Sequence, residues 1–505
     1  MADPTFNLKT GADSDLYFAR EVTAKGDKLG KIKTRDGIFQ YPSLTRSTGN
    51  SIKGTTETIE SNELRKGRTR GAPKQGNSST SGSLDIEFSP VTYDDFLEAV
   101  FRGNWKRWKS DTESASNLDK NEFVDGYFAT ACSTSGARKL LDTDGSGTGD
   151  SKGLIQVPAG AIVHELTCGT EDIKYSILRH FGGVTGEDVY QEFIRMALSS
   201  LDISVNIGDI VTGSFGFMGV SDPKMMNTSE IKTEYGGTAA TRFEDGETTG
   251  NKFIENLPGK STQTDQFTAR EGFLYINGKK IEYSSSLDLN LDNGLEQKSA
   301  LFVKKPISTT PLSLDVTGTF KTYLISEEST KEFNAAVENK DVEILFCFQN
   351  KETDPDYIYV FQIFKSKLTD HDASVSGKDT LEISFPFTSF GEQAIRMFRI
   401  DLPKVSKVEI TTSGDTYTGV DILPNIEVKD ADLTGLSVTA TLDGSSVTLA
   451  ASASVDEDAD NATYKHILRA FETPIAKTSS EQVLKVEATW NSETVTKTVV
   501  IPASA

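Results

Sequence analysis

The stretch SGSLDIEFSPVTYDDFLEAVF, Ser81–Phe101, carries a strand and a helix side by side. Leu84, Ile86 and Phe88 alternate with Asp85, Glu87 and Ser89, the period-2 pattern of a strand with one buried face. Thr92 followed by Asp95 resembles a capping box, and Phe96, Leu97, Val100 and Phe101 make one apolar helix face that Gly103 ends. A second stretch, LSLDVTGTFKTYLISEESTKEFNAAV (Leu312–Val337), repeats the design. It opens on the same Ser-Leu-Asp, predicts a strand pair over LSLDVTGTFKTYL, and places Ser329 and Glu332 as a capping box before Phe333, Ala336 and Val337.

The repeat extends outward from these two units. DISVNIGDIVTGSFGFMG, closing at Gly219, reads as a hairpin turning at Asp209 and its glycines, and DASVSGKDTLEISFPFTSFG, closing at Gly391, parallels it. The offset is about 230 residues at the Ser-Leu-Asp strand and about 170 at the second motif; an insertion near 104–160 of the first copy accounts for the difference. SSSLDLNLDNGLEQKSALF, Ser284–Phe302, is an alternating strand with an Asn-Gly turn, and DYIYVFQIFKSKL leads the last long strands of the second copy. From residue 405 on, aromatics thin out and short Val/Thr/Ala/Ser strands recur between turns, the pattern of an immunoglobulin-like sandwich without its Cys…Trp…Cys pin. The expected division is an N-terminal arm (1–35), a first β unit (36–222), a linker (223–265), a second β unit (266–404) and a C-terminal sandwich (405–505).

The chain has 505 residues and a net charge of −21, which excludes proteins that grip nucleic acid through a basic surface. It argues equally against anionic membranes, and the longest apolar run, Val342–Phe348, is too short to span a bilayer. MADPTFNLKTGADSD carries no basic, apolar leader, so synthesis in a cytoplasm without export is expected. Cys132, Cys168 and Cys347 are scattered and read as buried free thiols. One stretch runs against the acidic balance: LRKGRTRGAPKQGNSSTSG, Leu64–Gly82, holds Arg65, Lys66, Arg68, Arg70 and Lys74 with no acid, and reads as a long flexible loop.

No catalytic pattern emerges. His164, His180, His371 and His466 lie in separate segments without metal-pair spacing. Asp142–Asp150 begins like a calcium loop, but its twelfth position is Gly153. The PGKS ending at Ser261 lacks the first glycine of a phosphate loop, which would stand at Ile254. Asp94–Asp95 and Glu327–Glu328 sit at helix starts, where they complement the dipole. The sequence points to neither an enzyme, nor a cofactor, nor a metal site.

The order of these elements resembles the major tail tube proteins of long, non-contractile-tailed (siphovirus-type) bacteriophages. The resemblance covers about residues 36–402 and rests most on ESNEL through RGNW and on VTGSFGFMG. It implies a mainly β fold, a duplicated sandwich or barrel unit with one flanking helix per copy, followed by an Ig-like sandwich of the kind some tail proteins carry outside. It implies a virion structural protein, made in the host cytoplasm, whose rings stack into a hollow tube that conducts DNA. Its partners would be copies of itself in trimeric or hexameric rings, a tape-measure protein in the lumen, and tail terminator and tail-tip proteins. The basic loop with Arg65, Lys66, Arg68, Arg70 and Lys74 would contact the next ring. A modular bacterial adhesion protein is the alternative, and it predicts an export signal.

Overall fold

The computed structural model describes residues 14–22, 31–32, 47–60, 73–107, 138–140, 155–157, 162–181, 189–220, 222–227, 229–230, 266–276, 279–281, 283–323, 340–351, 356–369, 382–391, 394–402, 404–413, 416–424, 428–429, 436–455, 463–464, 467–476, 478, 480–490 and 493–501. The fold is mainly β, as the alternating patterns require, with one α-helix among the described residues. The chain divides into two compact units: Met1–Trp105, Leu166–Phe348 and Phe361–Arg396 form the first, and Lys106–Glu165, Gln349–Val360 and Met397–Ala505 the second.

The principal strands around the first unit are β1 (Ser14–Val22), β2 (Ser47–Asn50), β3 (Lys53–Ile59) and β4 (Lys74–Glu87), then α1 (Asp94–Phe101), β5 (Lys174–Phe181), β6 (Val189–Asn206), β7 (Thr212–Gly219) and β8 (Lys224–Asn227). They continue as β9 (Gly272–Ile276), β10 (Ser284–Asp292), β11 (Asp315–Tyr323), β12 (Val342–Gln349), β13 (Tyr357–Leu368) and β14 (Glu382–Ser389). In the first half the neighbours run β1–β5–β6–β7–β4–β2, all antiparallel. In the second half they run β9–β12–β13–β14–β11–β10. With the flanking strands β3, which pairs with β4, and β8, which pairs with β6, left out of the count, both orders numbered along the chain within each half are first, fourth, fifth, sixth, third, second. The halves join where Ser200–Asn206 of β6 pairs antiparallel with Ser286–Asp292 of β10.

Alternation decides which face is covered. Leu84, Ile86, Leu201, Ile203, Phe215, Phe217, Leu287, Leu289, Leu291, Val316, Phe320, Ile383, Phe385 and Phe387 are all buried. The helix closes over the first half of this apolar face. Phe96 lies 4.3 Å from the ring centroid of Phe18, 5.2 Å from Tyr175, 5.2 Å from Phe215 and 5.5 Å from Phe217. Tyr175 then donates its hydroxyl to the Asp95 carbonyl at 2.6 Å, fixing the helix start. Phe88, just past β4 of the first half, joins Phe267, Phe346, Phe348 and Phe361 in a ring cluster, with Phe346 stacked on Phe361 at 4.8 Å.

Several local expectations need correction. Thr92 forms no capping box: Tyr93 is the N-cap, without a side-chain bond. The Thr92 hydroxyl instead donates to the Pro90 carbonyl and accepts from Ser89. Arg102, at φ 52°, takes the left-handed position at the helix end. Gly103 is needed for close approach, since a Cβ there would stand 2.2 Å from the Thr167 carbonyl. The expected loop Leu64–Gly82 is strand from Lys74 onward, paired with β3. LSLDVTGTFKTYL gives one strand, β11, rather than a pair. The second expected helix, around Ser329–Val337, lies outside the described residues. Cys168 donates to the Ile395 carbonyl at 3.3 Å, and burial pushes its thiol up to about 11. Cys347 is buried and in no disulfide, and Cys132 lies outside the described residues.

In the second unit, β15 (Val405–Ser413), β16 (Thr416–Pro424), β17 (Ser437–Leu442), β18 (Ser445–Val447), β19 (Leu449–Val455), β20 (Ile467–Ala476), β21 (Gln482–Trp490) and β22 (Glu493–Ile501) make two four-stranded sheets. Their orders are β15–β16–β20–β19 and β18–β17–β21–β22. Val408, Val420, Ile422, Ile467, Phe471, Leu484, Val486 and the fully buried Trp490 share one core between them.

Phe96→Ala should show how far the helix is held by its ring cluster alone. Truncating a fully buried phenylalanine costs about 3–5 kcal/mol. Urea unfolding should therefore show a lowered midpoint at an unchanged m-value, whereas a loss below about 1 kcal/mol would mean that the helix is dispensable.

Candidate functional site

The face of the first unit opposite the apolar one is its most distinctive surface. Pairing registers place side chains in rows across it. One row runs Gly49, Asp85, Ser214, Asp202, Asn290, Thr317 and Thr388, crossing from β2 through β4, β7, β6, β10 and β11 to β14. The next runs Glu87, Thr212, Ser204, Asp288, Thr319 and Pro386. These rows line a concave cleft of about 670 Å³, and no lysine or arginine is among its lining residues.

The three aspartates at its centre are held sideways by their neighbours. Ser214 donates to Asp85 at 2.7 Å, Ser204 donates to Asp288 at 2.6 Å, and the Asn290 amide donates to Asp202. Such bonds fix each carboxylate flat along the sheet. They also spread hydroxyls and amides, which are neutral, between anions that would otherwise repel. Two of the bonds cross the β6–β10 seam, so they belong to both halves at once. Gly318 lets the backbones close beneath them, because a Cβ there would meet the Asp288 carbonyl and the Phe387 ring, each at 2.4 Å. The surface that results is smooth, hydroxylated and anionic. The cleft lining can hydrate and repel a phosphodiester chain and offers no cation to grip one; the nearest cations on this face are Lys367, opposite Thr388 and paired with Asp341, and Lys321, two residues past Thr319.

The basic residues singled out in the sequence fall elsewhere. Lys74 opens β4 opposite Ile59, is exposed, and is placed by a hairpin whose other strand, β3, is exposed at all seven positions. Arg65, Lys66, Arg68 and Arg70, in the connection between these strands, lie outside the described residues. The calcium-like and phosphate-loop-like stretches, His371 and His466 also lie outside them. His180 stacks on Tyr190 at 4.8 Å. His164, in the second unit, faces Asp401 at 3.4 Å beside an Arg399–Asp401 bridge of 2.9 Å, a structural ion cluster. Among the described residues no group of three or more His, Cys, Asp or Glu is placed to hold a metal ion, and no helix is long and apolar enough to cross a membrane.

Sequence reasoning missed one surface feature. Leu301 and Phe302, read there as the end of an alternating strand, form an exposed turn between two short paired strands, Glu296–Lys298 and Ser308–Thr310. The signal available was a pair of large apolar residues flanked by Lys298, Lys304 and Lys305 with no alternation around them.

No curated protein matches the chain. The family model described as phage tail tube protein matches residues 11–389, a span that contains every strand from β1 to β14. With the match covering most of its length, the chain belongs to the phage tail tube protein family, and it is a component of a virion tail that assembles with copies of itself.

Proposed function

We propose that each chain supplies two adjacent copies of one tube unit, and that three chains close a ring of six pseudo-equivalent units. The repeated strand order, first–fourth–fifth–sixth–third–second in both halves, is the observation that carries this reading. The β6–β10 seam supplies the pattern for closure. There the fifth strand of one copy pairs with the second strand of the next. A neighbouring chain would repeat it by setting β2, an edge strand of its own first half, beside the fifth strand of this chain's second half. Such a contact is heterologous, and a rotation of the right size closes it into a ring.

Rings so formed would stack into the tube of a long, non-contractile tail, with the aspartate rows facing the lumen through which DNA is delivered. A tape-measure protein would occupy that lumen during assembly, and terminator and tip proteins would cap the ends. The connection bearing Arg65, Lys66, Arg68 and Arg70, with Lys74 at its foot, would reach the next ring. The C-terminal orders β15–β16–β20–β19 and β18–β17–β21–β22 correspond to the A–B–E–D and C′–C–F–G sheets of an immunoglobulin-type sandwich, which supports an Ig-like decoration outside the ring.

Electron microscopy of the assembled protein should give a cross-section with three-fold symmetry and two similar folds per chain. Six-fold symmetry, with only one half lining the lumen, would refute the two-copy ring while leaving a tube. Deleting residues from 405 onward should leave the tube intact and narrow its outer diameter; loss of assembly would instead make the sandwich part of the ring.

The lining is testable without phage. Exchanging Asp85, Asp202 and Asp288 for Lys should turn a surface indifferent to duplex DNA into one that retains it. Retention measured by fluorescence anisotropy should weaken steeply between about 50 and 200 mM salt. Unmodified protein that binds duplex as well as the variant would contradict a non-gripping lumen.

A further inference from the structure

Two features of the first unit fit each other but lie at opposite ends of the same strand. The first is a knob. Ala300–Val303 is a tight turn, with the Val303 amide donating to the Ala300 carbonyl at 3.3 Å. Phe302 stands at its third position with φ 67°, where glycine or asparagine is usual and a bulky side chain is strained. Its side chain is fully exposed, and Leu301 beside it is 85% exposed. The turn is nevertheless held in place. The Lys304 carbonyl accepts from the Ser78 amide at 2.9 Å, and Lys305 pairs with Asp222 at 3.0 Å. An aromatic ring kept in water on a strained, braced backbone earns no stability for the lone chain.

The second feature is a cleft of about 390 Å³ walled by Ile207, Phe273, Leu274, Leu287, Phe346 and Phe348, with Arg270 also at its edge. A dry apolar cavity of about 150 Å³ is enough to hold benzene, so this one has room for a phenyl ring and an aliphatic side chain together. Ser284–Leu287 of β10 line the cleft, whereas the chain leaves the Asp292 end of β10 toward the knob. The ends of that strand are about 27 Å apart. Acids flanking the cleft can meet the cations that follow the knob. Lys304 and Lys305 follow the knob; the one charged residue lining the cleft is Arg270, and next to lining residues in the chain stand exposed Asp209, whose carbonyl accepts from the Ala269 amide at 3.0 Å, and half-buried Glu271.

We propose that the Leu301–Phe302 knob of one chain enters the Ile207–Phe273–Phe346 cleft of a second copy in the adjoining ring, forming the axial contact of the tube. A contact between opposite ends of one subunit is heterologous and, repeated along an axis, never closes, which is what a filament requires. Bracing of the turn lowers the ordering cost of docking, and burial of the ring supplies the driving force. The contact rests on the stacked-ring reading and adds to it the pair of surfaces that meet.

Phe302→Gly separates this role from a structural one. Glycine adopts φ 67° without strain, so the melting temperature should hold or rise, while polymerisation seen by electron microscopy and sedimentation should stop at rings or smaller species. Independently, full-length Ile207→Cys chains mixed with Phe302→Cys chains under assembly conditions and oxidised should give a disulfide-linked dimer. That dimer should be several-fold scarcer in either variant alone. Tubes of normal length from the Phe302→Gly protein, or no enrichment of dimer in the mixture, would overturn the axial contact and leave the ring standing. Unmodified protein that never polymerises would overturn both.

Discussion

The first unit depends on one strand serving both halves of a single sheet. The Val189–Ala197 part of β6 pairs with β5, and from Ser200 onward its seam partner is β10. Changing partners requires the strand to twist, and a bulge provides the twist: the β5–β6 register shifts between Tyr175 and Ile177, opposite Arg195 at φ 55°. The buried carboxylate of Glu21 holds that bulge, accepting from the Arg195 amide at 2.9 Å and from Ser176 Oγ at 2.6 Å. A strand one residue off in this bend would present Ile203 to water and Asp202 to the core, because a one-residue slip exchanges faces. The side chain of Asn293, just past β10, secures the far end of the same junction. Its amide donates to the carbonyls of Val100 and Leu198, so the helix end of the first half is capped by the turn of the second. The halves are therefore interlocked by polar bonds as well as by a ladder.

That junction also explains how an acidic face can exist on so continuous a sheet. Like charges opposite one another in a ladder are destabilising. The registers avoid this at the seam, where Asp202 stands opposite Asn290 and Asp288 opposite Ser204. Each anion thus finds a donor on the neighbouring strand, and the donor is neutral. A lysine in the same place would satisfy the carboxylate more strongly, yet it would leave a cation on the concave side. Serine, threonine and asparagine satisfy it and leave the face anionic. The choice of partner, more than the number of acids, sets what the face does to a polyanion.

How much of this was legible in the sequence follows from what each pattern reports. Period-2 alternation located β4 because that strand buries one face there, and Leu84, Ile86 and Phe88 are buried as the pattern requires; in β6 it holds at Ile203 and has run out by Ile207, which is exposed. Alternation fails where the buried positions are small and polar, which is why Lys74–Gly82 read as loop: Ser78 and Thr80 are buried but carry no apolar signal, and the strand form comes from pairing with β3. The capping box fails at Thr92 because its hydroxyl donates to the Pro90 carbonyl and accepts from Ser89 in place of a helix amide. The aspartate rows were legible one residue at a time but not as a face, since Asp85, Asp202 and Asp288 are brought together only by register. Phe302 was misplaced for a related reason: an exposed aromatic at a turn looks, in sequence, like the next buried position of a strand.

Duplication within one chain carries a physical consequence that separate subunits would not have. On the two-copy reading, every second seam in the ring is already made in the folded chain, with Ser200–Asn206 and Ser286–Asp292 held together at no translational cost. Closing the ring then needs fewer association events, and each brings a preformed pair of units into register. The unpaired edges left for those events are short: β2 spans only Ser47–Asn50. Short edges suppress uncontrolled strand pairing between free chains, the usual hazard of an open sheet. They also make a single lateral contact weak, so that a ring becomes stable only when its last contact forms. A tube built from such parts would grow from closed rings and not from loose protomers, with lateral strength kept inside the chain and axial contacts left to surfaces that no isolated subunit can satisfy by itself.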